Sequence, residues 1–235
     1  MIELYAGPTP NGRKVAIMLE ETGLDYRTQL IDILAGDQLK PEFLAVNPNN
    51  KQPAIVDFDG PQGQQVTVWE SCAILVYLAR KSGRFLPTDP VAEAEVMQWL
   101  IFQAANQGPM AGQYAHFAFY AVVRIPYAIE RYENEVNRQF GLMDRHLQER
   151  EYFAGEYSIA DMALLPYAQS MIQRSRKERP HLQAWVDRLM QRPAVQRGMS
   201  IMDDTIREET IAGGMQGFDD EHRSILFGEK QYAER

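Results

Sequence analysis

The chain has 235 residues, 45% of them apolar and 24% charged, a balance that suits two small globular domains and excludes a wholly disordered chain. Its net charge of −8 is uneven: residues 203–235 carry nine Asp/Glu against four Lys/Arg and contribute −5, leaving −3 for everything upstream. No domain-wide basic face is legible, which argues against nucleic acid or an anionic membrane as the main partner.

In chain order, MIELYA alternates and stops at Gly7-Pro8, predicting a strand. It lacks a charged leader followed by an apolar stretch, and nowhere are there about 18 consecutive apolar residues, so the chain reads as soluble and cytoplasmic. The polar turn GPTPNGRK runs straight into a helix, with Val15, Ile17, Met18 and Leu19 at helical spacing and Gly23 at its end. YRTQLID reads as a second strand, completing a βαβ unit, and a loop follows through Gly36-Asp37-Gln38.

PAIVDF and QVTVW, joined by Gly60-Pro61-Gln62-Gly63, form a predicted hairpin, and ESCAILVYLARKSG a helix with Gly83 just beyond it. The order βαβ then ββα over residues 1–86 predicts a thioredoxin-like domain. Pro87-Thr88-Asp89-Pro90 is the linker, because two prolines in four residues resist continuing helix. Residues 91–202 are helical in periodicity almost throughout, predicting an all-α second domain. Within it Ser158 and Asp161 stand at the spacing of an N-terminal cap for the buried helix ADMALLPYAQSM. Residues 203–235 form an acidic extension, loosely packed from Gly213-Gly214 onward, although SILFG is apolar enough to dock.

Three constellations carry candidate chemistry. Thr9 and Asn11 sit at a strand-to-helix junction, where they suit helix capping. Gln52-Pro53 opens a strand; a proline there needs no function, but a cis bond would turn the Gln52 backbone outward as a peptide-docking edge. Glu70-Ser71 precedes an apolar helix, as capping alone would favour. The same free N–H groups also suit a ligand carboxylate, with Glu70 receiving an ammonium. The single cysteine, Cys72, permits no intrachain disulfide and no cysteine metal cluster, and the four histidines are scattered, so no metal is expected.

TPNGRKV, NPNNKQPAIVD, ESCAILVYLA, IPYAIERY and YSIADMALLP together resemble the glutathione transferases, and more narrowly the bacterial nu class with its glutathione-dependent disulfide-bond reductase activity. The resemblance covers residues 1–200 and implies the glutathione transferase fold. It implies that Thr9 and Asn11 hold the thiol of glutathione as a thiolate. Gln38 and Lys51 would contact the glycyl end, Gln52 with Pro53 the cysteinyl backbone, and Glu70 with Ser71 the γ-glutamyl end. Arg131 matches an arginine reaching that region from its own or a partner subunit, beside its reading as a solvated helix face with Glu130 and Glu135.

The class departs locally here, since Gln52 replaces an apolar residue and Cys72 a small non-thiol one. Residue 52 is expected to act through its backbone. Tyr5, which other classes would use to activate sulfur, is expected to be structural, and Cys72 a packing residue. A thioredoxin-like domain without Cys-x-x-Cys must import its thiols, so the resemblance implies reduction of small disulfides by one or two bound glutathiones. Transferase or peroxidase-type side activity would be weaker. The alternatives are a conventional transferase acting on electrophiles, with Met110, Tyr114, Phe117 and Phe119 lining a pocket, and a non-catalytic binding module. A homodimer is expected from the family.

Overall fold

Ile2, Leu4 and Ala6 alternate along β1 (Ile2–Ala6) and are buried, as a strand with one face on a core requires. The computed structural model describes residues 1–172, 177–203 and 219–233. It sets β1 in a four-stranded sheet of order β2-β1-β3-β4, with β2 (Tyr26–Leu30), β3 (Ala54–Asp57) and β4 (Val66–Trp69). β1 and β2 are parallel, while β1–β3 and β3–β4 are antiparallel, with Leu4 opposite Ile55 and Ile55 opposite Val68. The parallel pair needs a crossover, and α1 (Pro10–Thr22) supplies it, capped by Thr9 and closed by Gly23 at φ 69°. The hairpin turn passes through Gln62 and Gly63, at φ 60° and 69°. α3 (Ser71–Ser82) then covers the sheet and ends at left-handed Gly83.

A short helix α2 (Pro41–Leu44) lies between β2 and β3. Beyond the sheet come α4 (Pro90–Phe102), α5 (Gly108–Ala115), α6 (Pro126–His146), α7 (Ile159–Ile172), α8 (Pro180–Met190) and α9 (Pro193–Met199). Two π turns, Gln103–Gln107 and His116–Tyr120, flank α5. Among the described residues this half holds no strand, only the isolated bridge Ala154–Glu156. The structure is thus a thioredoxin-like domain followed by a helical domain. Pro90 is already the first residue of α4, because Asp89 caps that helix and a proline there loses no hydrogen bond.

α7 is apolar on every side and lies in the core, as expected of YSIADMALLP. Asp161 accepts from the amides of Ser158 (3.0 Å) and Phe153 (3.2 Å) and from Trp185 Nε1 (2.9 Å). Burial, opposed by those donors, pushes its carboxyl up to about 6. The domains share one core across α1 and α9, where a Cβ on Gly198 would come within 2.5 Å of the Ile17 backbone. Arg192 binds Glu21 and Arg197 binds Glu20 across the same seam.

The tail holds α10 (Asp220–Phe227) and α11 (Glu229–Tyr232). SILFG does dock: Ile225 is buried beside Gly36, and Phe227 packs on His116 and Tyr120 at 4.9 and 5.5 Å. In the amide orientation that satisfies both of its ends, Gln231 accepts from Lys51 Nζ (3.2 Å) and donates to the Ile225 carbonyl (3.3 Å). Gly213-Gly214 and the rest of 204–218 lie outside the described residues.

Candidate functional site

The chain enters α1 through Gly7-Pro8-Thr9. Thr9 is the N-cap, its Oγ1 accepting from the Gly12 amide at 3.3 Å, so the capping role is real. A Cβ at Gly12 would approach the Gly7 carbonyl to 2.4 Å, which closes this turn to any larger residue. The Gln52–Pro53 peptide is cis, and the Gln52 side chain reaches across to the turn. Its Oε1 accepts from the Gly7 amide (3.0 Å) and its Nε2 donates to Thr9 Oγ1 (2.7 Å). The Gln52 side chain thus ties the cis-proline loop to this turn, a contact outside the backbone role expected of residue 52. Asn47 accepts from the Asn49 amide and donates to the Lys51 carbonyl, shaping the loop that delivers Lys51, Gln52 and Pro53.

Glu70 occupies the cap position of α3 at φ 70°, ψ 114°, a conformation that costs a non-glycine residue roughly 1–3 kcal/mol. Neither Glu70 nor Ser71 makes a side-chain cap there. Ser71 is the first residue of the helix, and its Oγ takes a hydrogen bond from Lys14 Nζ at 3.2 Å. The first amides of α3 stay available to an anion, reinforced by the positive end of the helix.

Lys14, from α1, is 1% exposed. Its ammonium donates to Gln103 Oε1 (2.5 Å) as well as Ser71 and lies 5.3 Å from the Tyr167 ring centroid. Among the described residues it makes no ion pair, and burial lowers its pKa to about 8, partly offset by Cys72 and Glu70. Cys72 gives its thiol proton to the Gln103 amide oxygen (3.4 Å) and the Leu100 carbonyl (3.8 Å), and burial pushes that thiol up. Tyr167 of α7 stands within hydrogen-bonding reach of the Asn11 side chain, and burial pushes its phenol to about 12. The start of α1, the start of α3, the first π turn and α7 thus converge on Thr9, Asn11, Lys14 and Ser71.

The remaining candidates divide. Lys51 is exposed beside Gln231 of the tail, and Gln38 is buried, its Nε2 on the Ile33 carbonyl and its Oε1 unpartnered. Arg131 stays on the exposed face of α6 near Glu135, and α6 packs on α5, α8 and the π turns rather than on the sheet. Tyr5 donates to Glu3 (2.9 Å), which together with burial raises its pKa, and Phe43 stands beside it. Its proton is committed, in keeping with a structural role. Phe117 stacks on Tyr132 and Tyr114 meets Phe119 edge-on, so these aromatics satisfy one another.

Lys14, Gln103 and Tyr167 were missed from sequence. Lys14 left one trace, as a cation three and four residues before Ile17 and Met18 on a buried stripe. Gln103 and Tyr167 left none.

A thioredoxin-like domain whose helix starts face an all-helical domain defines the glutathione transferase fold. The chain belongs to the glutathione S-transferase family: residues 9–81 match its N-terminal domain and residues 115–193 its C-terminal domain. It is 42% identical over 214 residues to the disulfide-bond oxidoreductase YfcG of Escherichia coli K12, spanning 89% of this chain and 98% of that relative. It is also similar to a Pseudomonas putida glutathione transferase crystallised with one glutathione disulfide per subunit (43% identity, TM-score 0.82, 85% of this chain and 91% of that one). A Pseudomonas fluorescens family member with two glutathiones bound is similar again (43% identity, TM-score 0.79, covering 84% and 92%).

Proposed function

We propose that this protein reduces small disulfides with bound glutathione as the thiol source. One observation carries the reading: the chain's single cysteine has its proton held by Gln103 and Leu100 and its pKa pushed up, so it supplies no attacking thiolate. A first glutathione thiolate attacks one sulfur of the substrate disulfide, forming a mixed disulfide and expelling a substrate thiolate. A second glutathione thiolate attacks the glutathione sulfur of that mixed disulfide, releasing the other substrate thiolate and glutathione disulfide. The two expelled thiolates take up the two protons that the glutathione thiols gave up.

In this reading Thr9 and Asn11 donate to the glutathione sulfur and stabilise its thiolate. Ser71 and the open start of α3 bind the γ-glutamyl carboxylate, with the Lys14 charge beneath them, and Glu70 takes the ammonium. The cis Gln52–Pro53 edge holds the cysteinyl backbone, and Lys51 with Gln38 the glycyl end. Relatives crystallised with two glutathiones or with glutathione disulfide support this stoichiometry. A homodimer belongs to the same reading.

The test is a parallel assay with glutathione, once with 2-hydroxyethyl disulfide and once with an aromatic halide, for wild type and Asn11→Ala. Disulfide reduction that dominates and falls in Asn11→Ala bears the reading out. Dominant conjugation would make the protein a conventional transferase, and activity with neither would make it a binding module.

A further inference from the structure

We propose that Gln52 is a positioning residue that fixes the direction of the Thr9 hydroxyl proton and so turns this hydroxyl into a donor to sulfur. The inference rests on the glutathione reading above and concerns how this chain, with a polar residue before its cis proline, prepares that site.

The orientation of the Gln52 amide is settled by its neighbours. The Gly7 amide is a donor only, so the end of the side chain 3.0 Å from it must be the oxygen. The NH₂ end therefore faces Thr9 Oγ1 at 2.7 Å and can only donate to it. The Gly12 amide donates to the same oxygen at 3.3 Å. A hydroxyl has two lone pairs and one proton. Both acceptor directions of Thr9 are thus taken by groups that cannot accept, and its proton is driven into the remaining direction. No described residue receives it.

A hydroxyl held this way has no rotation left to lose when a thiolate arrives, which is the condition for an effective preorganised donor. With an apolar residue at 52, only the Gly12 contact would restrain the hydroxyl, and its proton would be free to turn away from the sulfur. Gln52 acts through Thr9 and need not touch the reacting atoms.

The experiment is a pH titration of the thiol of bound glutathione, followed by thiolate ultraviolet absorbance, in wild type, Gln52→Met, Gln52→Glu, Thr9→Val and the double variant Gln52→Met/Thr9→Val. Affinity for S-methylglutathione is measured alongside. In Gln52→Met the thiol pKa is expected to rise by about one unit, a tenfold loss of thiolate below it. S-methylglutathione, which has no thiol to ionise, should lose clearly less affinity than the tenfold thiolate loss, because the backbone edge is kept. Gln52→Glu should raise the thiol pKa further, since its free carboxylate oxygen accepts the Thr9 proton and reverses its direction. In the Thr9→Val background, Gln52→Met should add nothing.

A wild-type titration in Gln52→Met overturns the proposal. So does an undiminished effect on Thr9→Val, or a loss of S-methylglutathione affinity in step with the thiol shift, which would mark a merely structural role. Should Gln52→Met fail to fold, Gln52→Glu, which keeps the Gly7 contact, carries the test in the same background. A wild-type protein that binds glutathione without lowering its thiol pKa, or binds none, refutes the glutathione reading itself, an outcome distinct from a wild type that shifts and a Gln52→Met that matches it.

Discussion

Lys14 Nζ lies 3.2 Å from Ser71 Oγ, joining the start of the crossover helix to the start of α3 by a cation that no acidic side chain among the described residues pairs at salt-bridge distance. The Ser71 hydroxyl is thereby held as an acceptor of the Lys14 proton at the start of α3, with the positive charge directly behind it.

The cost of this arrangement makes the first prediction. Unfolded, Lys14 holds its proton up to its ordinary 10.5; folded, only up to about 8. Its charge therefore opposes folding at every pH below about 8, by about 3 kcal/mol, and the opposition fades between 8 and 10.5. Lys14→Met removes that cost and loses hydrogen bonds to Ser71 and Gln103 of about 1 kcal/mol each. We expect urea unfolding at pH 7 to show a gain of about 1 kcal/mol that turns into a loss approaching about 2 kcal/mol as pH rises past about 10, together with glutathione affinity about fivefold weaker. Lower stability at pH 7, or unchanged affinity, would refute this.

Asp161 makes the second. It holds two amides and the Trp185 indole, so Asp161→Ala, which leaves all of them unpartnered in the core, should cost about 3–5 kcal/mol in denaturant unfolding. Asp161→Asn tests the titration separately. The carboxyl is raised to about 6 from its ordinary 3.8, so its ionisation opposes folding, and the stability it contributes at pH 4 is lost as pH rises through 6. The deficit of Asp161→Asn against wild type should accordingly be larger at pH 4 than at pH 7.

The side chains of Tyr5 and Cys72 should prove dispensable to the reaction. Both give their protons to protein acceptors, and burial raises both. Tyr5→Phe and Cys72→Ser should each keep disulfide reduction within about twofold of wild type, as expected when no hydrogen bond to the reacting sulfur is lost. A tenfold fall in either variant would mean that its proton or thiol takes part.

The docked tail yields the last. Deleting residues 219–235 uncovers the Gly36 surface and the His116–Tyr120 edge and frees Lys51 from Gln231. Losing the buried Ile225 and the Phe227 contacts should lower Tm by roughly 3–6 °C. If the helix restricts access from that side, turnover of a bulky peptide disulfide should rise relative to 2-hydroxyethyl disulfide. An unchanged ratio between the two substrates would show that the tail only stabilises.

Local physics was legible in the chain itself. Alternation marked β1, glycines marked the left-handed ends of α1 and α3, and the Ser158–Asp161 spacing marked the start of the buried α7, because each depends on residues a few positions apart. The motif residues Thr9, Gln52, Pro53 and Ser71 could be named for the same reason, and the cis Gln52–Pro53 bond could be offered as one of two open readings.

What only the tertiary structure decided was which side chains meet. Gln52 and Thr9 are 43 residues apart, Lys14 and Gln103 are 89 apart, and Asn11 meets Tyr167 from a different domain. Sequence periodicity assigns a residue to a face of its own helix or strand, and it carries no term for the partner that packing later sets against that face. The direction of the Thr9 proton and the charge beneath Ser71 arise from such meetings, so they became visible only once the helical domain and the cis-proline loop were closed over the start of α1.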